Sequence, residues 1–357
     1  MRIGILGGGQ LARMLALAGY PLGFEFVFLC PDPDACAAPL GEHLCAEFND
    51  EAALESLVGK VDRVTYEFES VPAETVEFLN GKLPVYPPPQ ALATARDRLH
   101  EKNLFNELGI ETAPFIAVDS LDELQQAVTK IGLPAILKSR TLGYDGKGQQ
   151  LLHDPCELIT AWEEVNGAAT ILEGFVAFER EVSIIAVRSL SGEMAFYPLS
   201  ENRHEAGILR RSTSLQDDPM QGLAEDYAKR LLKHLEYVGV LVIEFFQLDG
   251  QLLVNEMAPR VHNSGHWTIE GAVTSQFENH LRAVSGLPLG STALTGHSVM
   301  VNIIGELPDI DAVLGMPDVH LHLYGKAPRP GRKLGHITLC ADNSGSLKHS
   351  LTMLPPI

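Results

Sequence analysis

Apolar runs alternate with amphipathic stretches through the first ninety residues. RIGILG (2–7), FEFVFLC (24–30) and RVTYEFE (63–69) read as buried strands. Between and after them, QLARMLALAGYPLG (10–23, ending near Gly19), EAALESLVG (51–59) and AETVEFLNG (73–81) carry apolar residues at helical spacing. This βαβαβ order predicts a parallel sheet with helices on both faces. The Pro-rich PVYPPPQAL (84–92) reads as a boundary.

Past that boundary the periodicity changes. A helix is expected over 93–109, then strand-turn segments at ETAPFIAV and PAILKSR with a helix over 121–132 between them. TLGYDGKGQQ (141–150) carries Gly143, Gly146 and Gly148 and reads as a mobile loop. ATILEGFV, REVSIIAVR and EMAFYPLS suit an antiparallel sheet. A helix over 221–236 leads into VGVLVIEFFQLDGQLLVNEM (238–257), two strands joined by the turn Asp249-Gly250. A helix over 274–286 precedes short strands rich in Gly and Pro. The expected architecture combines α/β and α+β parts: an N-terminal βαβ domain (1–91), a central domain (92–289) with a mobile part at about 112–175, and a β-rich C-terminal domain (290–357).

Composition narrows the chemistry. A chain of 357 residues is long for one core, and its 45% hydrophobic content is that of a globular protein. A formal charge of −19 argues against non-specific binding to nucleic acid or anionic membrane, so any phosphorylated ligand needs a local basic cluster. Cysteines 30, 36, 45, 156 and 340 show no CxxC spacing, which suits reduced thiols in the cytoplasm. Gly7, Gly8, Gly9, Gln10 and Arg13 interrupt the apolar N-terminus too early for a signal peptide, and no run of about eighteen apolar residues exists to span a membrane.

Several clusters carry candidate chemistry. Gly7-x-Gly9-x-x-Ala12 after the first strand nearly matches the dinucleotide fingerprint, in which a helix N-terminus receives phosphate; taken alone the signal is weak, and a monophosphate site or a structural turn is the stronger reading. ILKSRTLGYDGKGQ (136–149) sets Lys138 on a strand before a glycine loop with Lys147, an arrangement suited to triphosphate, although an ordinary hairpin loop has the same look. Glu173 and Glu181 frame a segment able to take adenine and ribose, or are solvated strand charges. On the hairpin, Glu244 and Glu256 fall on one face with Asn255 beside them. These hard oxygen donors match Mg²⁺ held partly by phosphates, unless they are exposed edge charges. Arg260 and His262 follow, placed to hold a small anion. LYGKAPRPGRKLGH (323–336) gathers Lys326, Arg329, Arg332, Lys333 and His336, a phosphate site or a basic surface loop.

Together these residues resemble the ATP-grasp superfamily and, within it, the N5-carboxyaminoimidazole ribonucleotide synthetases of purine biosynthesis. GGGQLARML, TYEFESVP, GYDGKGQ, NEMAPRVHNSGHW and RPGRKLGH are similar to that family's motifs and run through nearly the whole chain. The resemblance implies an ATP-grasp fold and ATP-driven carboxylation of 5-aminoimidazole ribonucleotide by bicarbonate through carboxyphosphate, with Mg²⁺ and a homodimer. It implies ATP contacts at Arg98, Lys138, Gly143, Tyr144, Asp145, Gly146, Lys147, Gly148 and Gln149. The same contacts extend to Glu173, Gly174, Phe175, Val176, Glu181, His204, Asn255 and Glu256. Metal falls to Glu244 and Glu256, and catalysis to Arg260, His262, Asp145 and Lys138. Substrate contacts fall to Gln10, Glu67, Tyr144, Asp145, Asn263, Lys326, Arg332 and Lys333. Another purine ATP-grasp ligase using formate, a non-catalytic nucleotide-binding regulator and, distantly, an NAD-dependent dehydrogenase are the alternatives.

Overall fold

The computed structural model describes residues 1–141, 143 and 148–355. Strands Arg2–Leu6, Glu25–Leu29, Glu42–Leu44 and Arg63–Tyr66 form a parallel sheet. Arg2–Leu6 lies between Glu25–Leu29 and Arg63–Tyr66, so the winding direction reverses beside the first strand. In open α/β sheets such a switch point opens a crevice at the strand ends. Gly7 to Gly9 and Glu67 stand in that crevice.

A small antiparallel sheet of Phe115–Val118, Thr170–Gly174, Ala135–Ser139 and Gln149–Leu152 carries helices Leu121–Ile131 and Leu158–Val165. Val118, Leu124, Leu137, Leu158 and Leu172 make its core. The expected helix over 93–109 is two helices, Pro89–Ala95 and Arg98–Glu107. The break follows from Asp97, whose carboxylate accepts the N–H groups of Leu99 and His100 as an N-cap.

The third sheet has nine strands, and the C-terminal strands belong to it. Its order runs from Gln251–Ala258 through Gly239–Leu248, Arg180–Arg188, Ser200–Glu205, Ile208–Ser214, His297–Ile304 and Lys333–Ala341 to Val319–Leu323. Met194–Phe196 pairs with Arg180–Arg188 from the side. The hairpin turn is as expected, with Asp249 and Gly250 at φ of 49° and 74°. The strands Ser200–Glu205 and Ile208–Ser214 had no counterpart in the hydrophobic pattern. Of their buried positions only Leu209 is apolar; Ser200, Asn202, Ser212 and Ser214 are polar, so apolar alternation is missing.

One apolar cluster joins the first sheet to the large one. Ile3, Ile5 and Phe28 pack with Val240, Trp267, Phe277 and Leu281. No helix among the described residues is long and apolar enough to cross a membrane.

Candidate active site

The hairpin sets the centre. Glu244 and Glu256 are direct cross-strand partners, but the next pair is Phe245 with Val254, leaving Asn255 as a bulge. A regular strand sends neighbouring side chains to opposite faces; the bulge breaks that alternation beside Glu256. Asn255 Oδ1 is buried without a partner. Arg98, at the N-terminus of its helix, donates to Glu256 Oε2 at 2.8 Å.

Burial and then the Glu256 charge push the Glu244 carboxyl up to about 7. At Glu256 burial also opposes ionisation, but Arg98 outweighs it and holds the carboxyl below its ordinary range. Two close carboxylates and an orphaned amide oxygen are a set of hard oxygen donors that fits Mg²⁺. Among the described residues no cluster of three or more His, Cys, Asp or Glu would hold a metal by itself.

The small sheet brings a second charged cluster to the same cleft. Lys138 donates to Glu173 Oε2 at 2.9 Å, and Lys102 lies 3.2 Å from the same oxygen. All three side chains are buried. Burial alone would raise the Glu173 carboxyl; Lys138, Lys102 and Arg98 outweigh it and hold it at about 2. Lys138 is pulled down by burial, against the pull of Glu173. Lys102 also donates to the Asn255 carbonyl at 3.2 Å, tying the two clusters together. The sequence reading missed Lys102, although its place four residues after Arg98 on one helix puts both on one face. It also missed Glu101, which accepts the Met257 N–H at 2.7 Å.

Other expected ATP contacts divide. His204 Nδ1 lies 2.7 Å from Glu181 Oε2 across adjacent strands. Gly174 and Phe175, expected beside the nucleotide, donate their N–H groups to the carbonyls of Pro114 and Pro134, so neither N–H is left for a base. Gly148 adopts φ of 71°, and a Cβ would stand 2.6 Å from the Ser139 hydroxyl, so glycine is required. Gly143 and Gln149 flank the same loop. Tyr144, Asp145, Gly146 and Lys147 lie outside the described residues. The base of the loop is anchored: Arg140 donates to both carboxylate oxygens of Asp97, at 3.0 and 2.6 Å.

Beyond the hairpin, Arg260 pairs with Glu69 from the first domain. His262 Nε2 sits 3.3 Å from Glu244 Oε1. Burial and then Arg260 push the His262 imidazole well below its ordinary range, so it is neutral. Asn263, expected as a substrate contact, is tied into the protein. Its amide is doubly paired with Asn302, at 3.0 and 2.6 Å, and anchors the segment to the large sheet.

The switch-point crevice changes the reading of the glycine turn. Glu67 accepts hydrogen bonds from the N–H of Gly9 and, at 2.9 Å, from that of Ala12. A carboxylate of the chain itself thus occupies the helix N-terminus where a dinucleotide would place its phosphates. Gly7 has φ of 114°, and a Cβ there would stand 2.7 Å from a Glu67 oxygen. The NAD reading therefore falls, and Glu67 is a helix anchor as well as a wall of the crevice. Burial pushes its carboxyl up, against the two N–H donors. The crevice, about 240 Å³, is lined by Gly7, Gly8, Gly9, Glu67, Phe68, Lys326 and Arg332 among others. Lys326 from the C-terminal loop donates to Gln10 of the first domain. Lys333 opens the strand that follows that loop.

Comparison with known proteins gives the family. Residues 1–96 match the ribonucleotide synthetase preATP-grasp domain, 103–277 the ATP-grasp domain, and 298–350 the phosphoribosylaminoimidazole carboxylase C-terminal domain. An N5-carboxyaminoimidazole ribonucleotide synthase of Pseudomonas aeruginosa is 58% identical over 345 residues, 96% of each chain. The crystal structure of the Thermus thermophilus synthetase superposes with a TM-score of 0.95 at 56% identity, covering 99% of this chain and 97% of that one. The Aspergillus clavatus synthase, solved with ADP and 5-aminoimidazole ribonucleotide, gives 0.91 at 29% identity, covering 98% and 96%. The chain belongs to the N5-carboxyaminoimidazole ribonucleotide synthases, ATP-dependent ligases with the ATP-grasp fold.

Proposed function

We propose that the chain carboxylates 5-aminoimidazole ribonucleotide with bicarbonate at the expense of ATP, giving N5-carboxyaminoimidazole ribonucleotide, ADP and phosphate. The observation that carries the bicarbonate reading is His262 Nε2 at 3.3 Å from Glu244 Oε1. It sets a neutral hydrogen-bonding group and the Arg260 cation beside the pair of carboxylates best suited to a phosphate-bound magnesium. Bound there by Glu244, Glu256 and Asn255, Mg²⁺ would neutralise charge on the ATP phosphates.

The chain's own residues divide the remaining work. Lys138 and Arg98 hold phosphate oxygens, with Lys102 and Glu173 fixing Lys138. Arg260 and His262 hold bicarbonate so that its oxygen attacks the γ-phosphorus and the bond to ADP breaks. The resulting carboxyphosphate is short-lived in water, so the amine must be held close by. Gln10, Lys326, Arg332 and Lys333 hold the ribonucleotide at the switch-point crevice. The amine nitrogen bonds to the carboxyl carbon, phosphate leaves, and the amine loses a proton. Asp145 is assigned to orienting the amine or accepting that proton. A homodimer in the cytoplasm is carried over from the family.

Phosphate release from Mg-ATP is the test. Release should require the ribonucleotide and fall when bicarbonate is stripped out. Stimulation by formate with glycinamide ribonucleotide instead would move the chain to the formate-using ligases, and ATP binding without release would make it a regulator.

A further inference from the structure

Behind His262 lies a row of buried polar groups that the reaction scheme leaves unused. His262 caps the short turn Asn263–Gly265. The backbone N–H of Ser264, which can only donate, points at His262 Nδ1 at 3.3 Å. The Ser264 hydroxyl lies 3.0 Å from the same nitrogen. That hydroxyl accepts from the Ser183 hydroxyl at 2.9 Å, and Ser183 Oγ accepts from Asn202 Nδ2 at 2.9 Å. The Ser212 hydroxyl orients the amide by donating to Asn202 Oδ1 at 2.6 Å. Ser183, Ser212 and Ser264 are fully buried, and Asn202 is 6% exposed.

The direction of donation follows from the chemistry of each group. The Asn202 amide nitrogen can only donate, so Ser183 turns its own proton to Ser264. Ser264 in turn is left to donate to the ring. His262 Nδ1 then faces two donors and has no room for a proton of its own. We propose that Asn202, Ser183 and Ser264 are positioning residues that hold His262 as the Nε2–H tautomer, a hydrogen-bond donor aimed into the cleft. Which ring nitrogen carries the proton is set by the bond the other nitrogen makes. A neutral imidazole held this way stabilises negative charge on an oxygen without transferring its proton. The inference rests on the reading that His262 holds the bicarbonate-derived anion.

The tautomer can be read directly. The full chain is labelled with ¹⁵N-histidine, the His262 signals are assigned by their loss in His262→Gln, and ring nitrogen shifts are recorded at a pH where the enzyme turns over. His262 should show an unprotonated Nδ1 and a protonated Nε2. A protonated Nδ1, or an imidazolium pattern, overturns the proposal. Asn202→Asp replaces the first donor of the row with an acceptor and should shift proton population toward Nδ1; an unchanged spectrum removes the row's role.

Kinetics supply a second arm. Ser264→Ala should lower kcat about tenfold with the KM for ATP unchanged, the usual scale for removing a group that orients a site residue. Ser264→Thr should restore most of the loss. The Ser264 N–H remains in Ser264→Ala, so a folded variant with wild-type kcat and an unchanged ring spectrum overturns the positioning role of the hydroxyl row, and Ser183→Ala serves if Ser264→Ala does not fold. Undiminished turnover in His262→Gln would remove the anion-holding role itself while leaving the tautomer result standing, so the two failures are separable.

Discussion

Glu173 shows how far one residue's role depends on its neighbours. Its carboxylate sits between two buried ammonium groups, and each charge makes the others tolerable in a low-dielectric site. Glu173→Gln should destabilise the protein by about 3–5 kcal/mol near neutral pH, the scale for stranding a buried charge. The pH dependence has a definite sign. The folded carboxyl is held at about 2, below the ordinary value of 4.5, so its contribution is complete above about 4.5 and is lost as pH falls towards 2. The gap in melting temperature between wild type and Glu173→Gln should therefore narrow across that window; a constant gap would rule out the charge as its source. Glu256 carries a different load, since it takes Arg98 and shares the metal set with Glu244. Glu256→Gln should abolish ATP turnover while the fold persists, and wild-type phosphate release in that variant would remove the metal assignment.

At the scale of elements, helix ends and sheet irregularities set the site more than regular structure does. The helix Gln10–Gly19 begins on the Glu67 carboxylate, which follows the neighbouring parallel strand. Glu67→Ala should cost about 1–2 kcal/mol, the scale of a lost N-cap in a favourable setting. It should also raise the KM for the ribonucleotide more than that for ATP, because the helix start carries Gln10. Chemical denaturation and separate substrate titrations check the two effects. Equal effects on both KM values would place Glu67 outside the ribonucleotide crevice. The bulge at Asn255 and the shift between Arg203 and His204 act similarly on the large sheet. Each breaks the regular alternation of side chains at the point where pairing slips by one residue.

For the whole molecule, the decisive contact is between the first sheet and the body that binds ATP. His280, fully buried on the helix Gln276–Ser285, accepts the Val240 N–H at Nδ1, 3.1 Å away. Its Nε2–H therefore donates to the Thr65 hydroxyl of the first sheet at 2.8 Å. Thr65→Val would leave that N–H buried and unpaired, at a cost of about 1–3 kcal/mol, measurable by denaturant unfolding. Burial holds the His280 imidazole down at about 3. Its folded value lies below the ordinary value near 6.5, so stability from the neutral ring is full above about 6.5 and is lost as pH falls towards 3. His280→Gln should flatten the acid side of the stability profile between those values; an unchanged slope would assign acid sensitivity to other groups.

Much of this was legible in the linear chain because it is local. Apolar periodicity set out the parallel sheet and most helices, Asp249-Gly250 announced its turn, and the motif residues carried the family resemblance. Glu244 and Glu256 read correctly as neighbours because a short hairpin leaves the register little freedom. What the sequence could not decide depends on partners distant along the chain. The glycine turn has the form of a phosphate site, and only the fold puts Glu67 into it. Asn263 sits within a motif, yet Asn302, thirty-nine residues away, takes its amide. The polar strands Ser200–Glu205 and Ile208–Ser214 gave no periodic signal, since apart from Leu209 their buried positions are hydrogen-bonded hydroxyls and an amide in place of apolar side chains. Local sequence determined which elements form and which chemistry they carry. Tertiary structure alone decided which charges and hydrogen-bonding groups meet, because burial makes an unpaired polar group costly and its partner can come from anywhere in the chain.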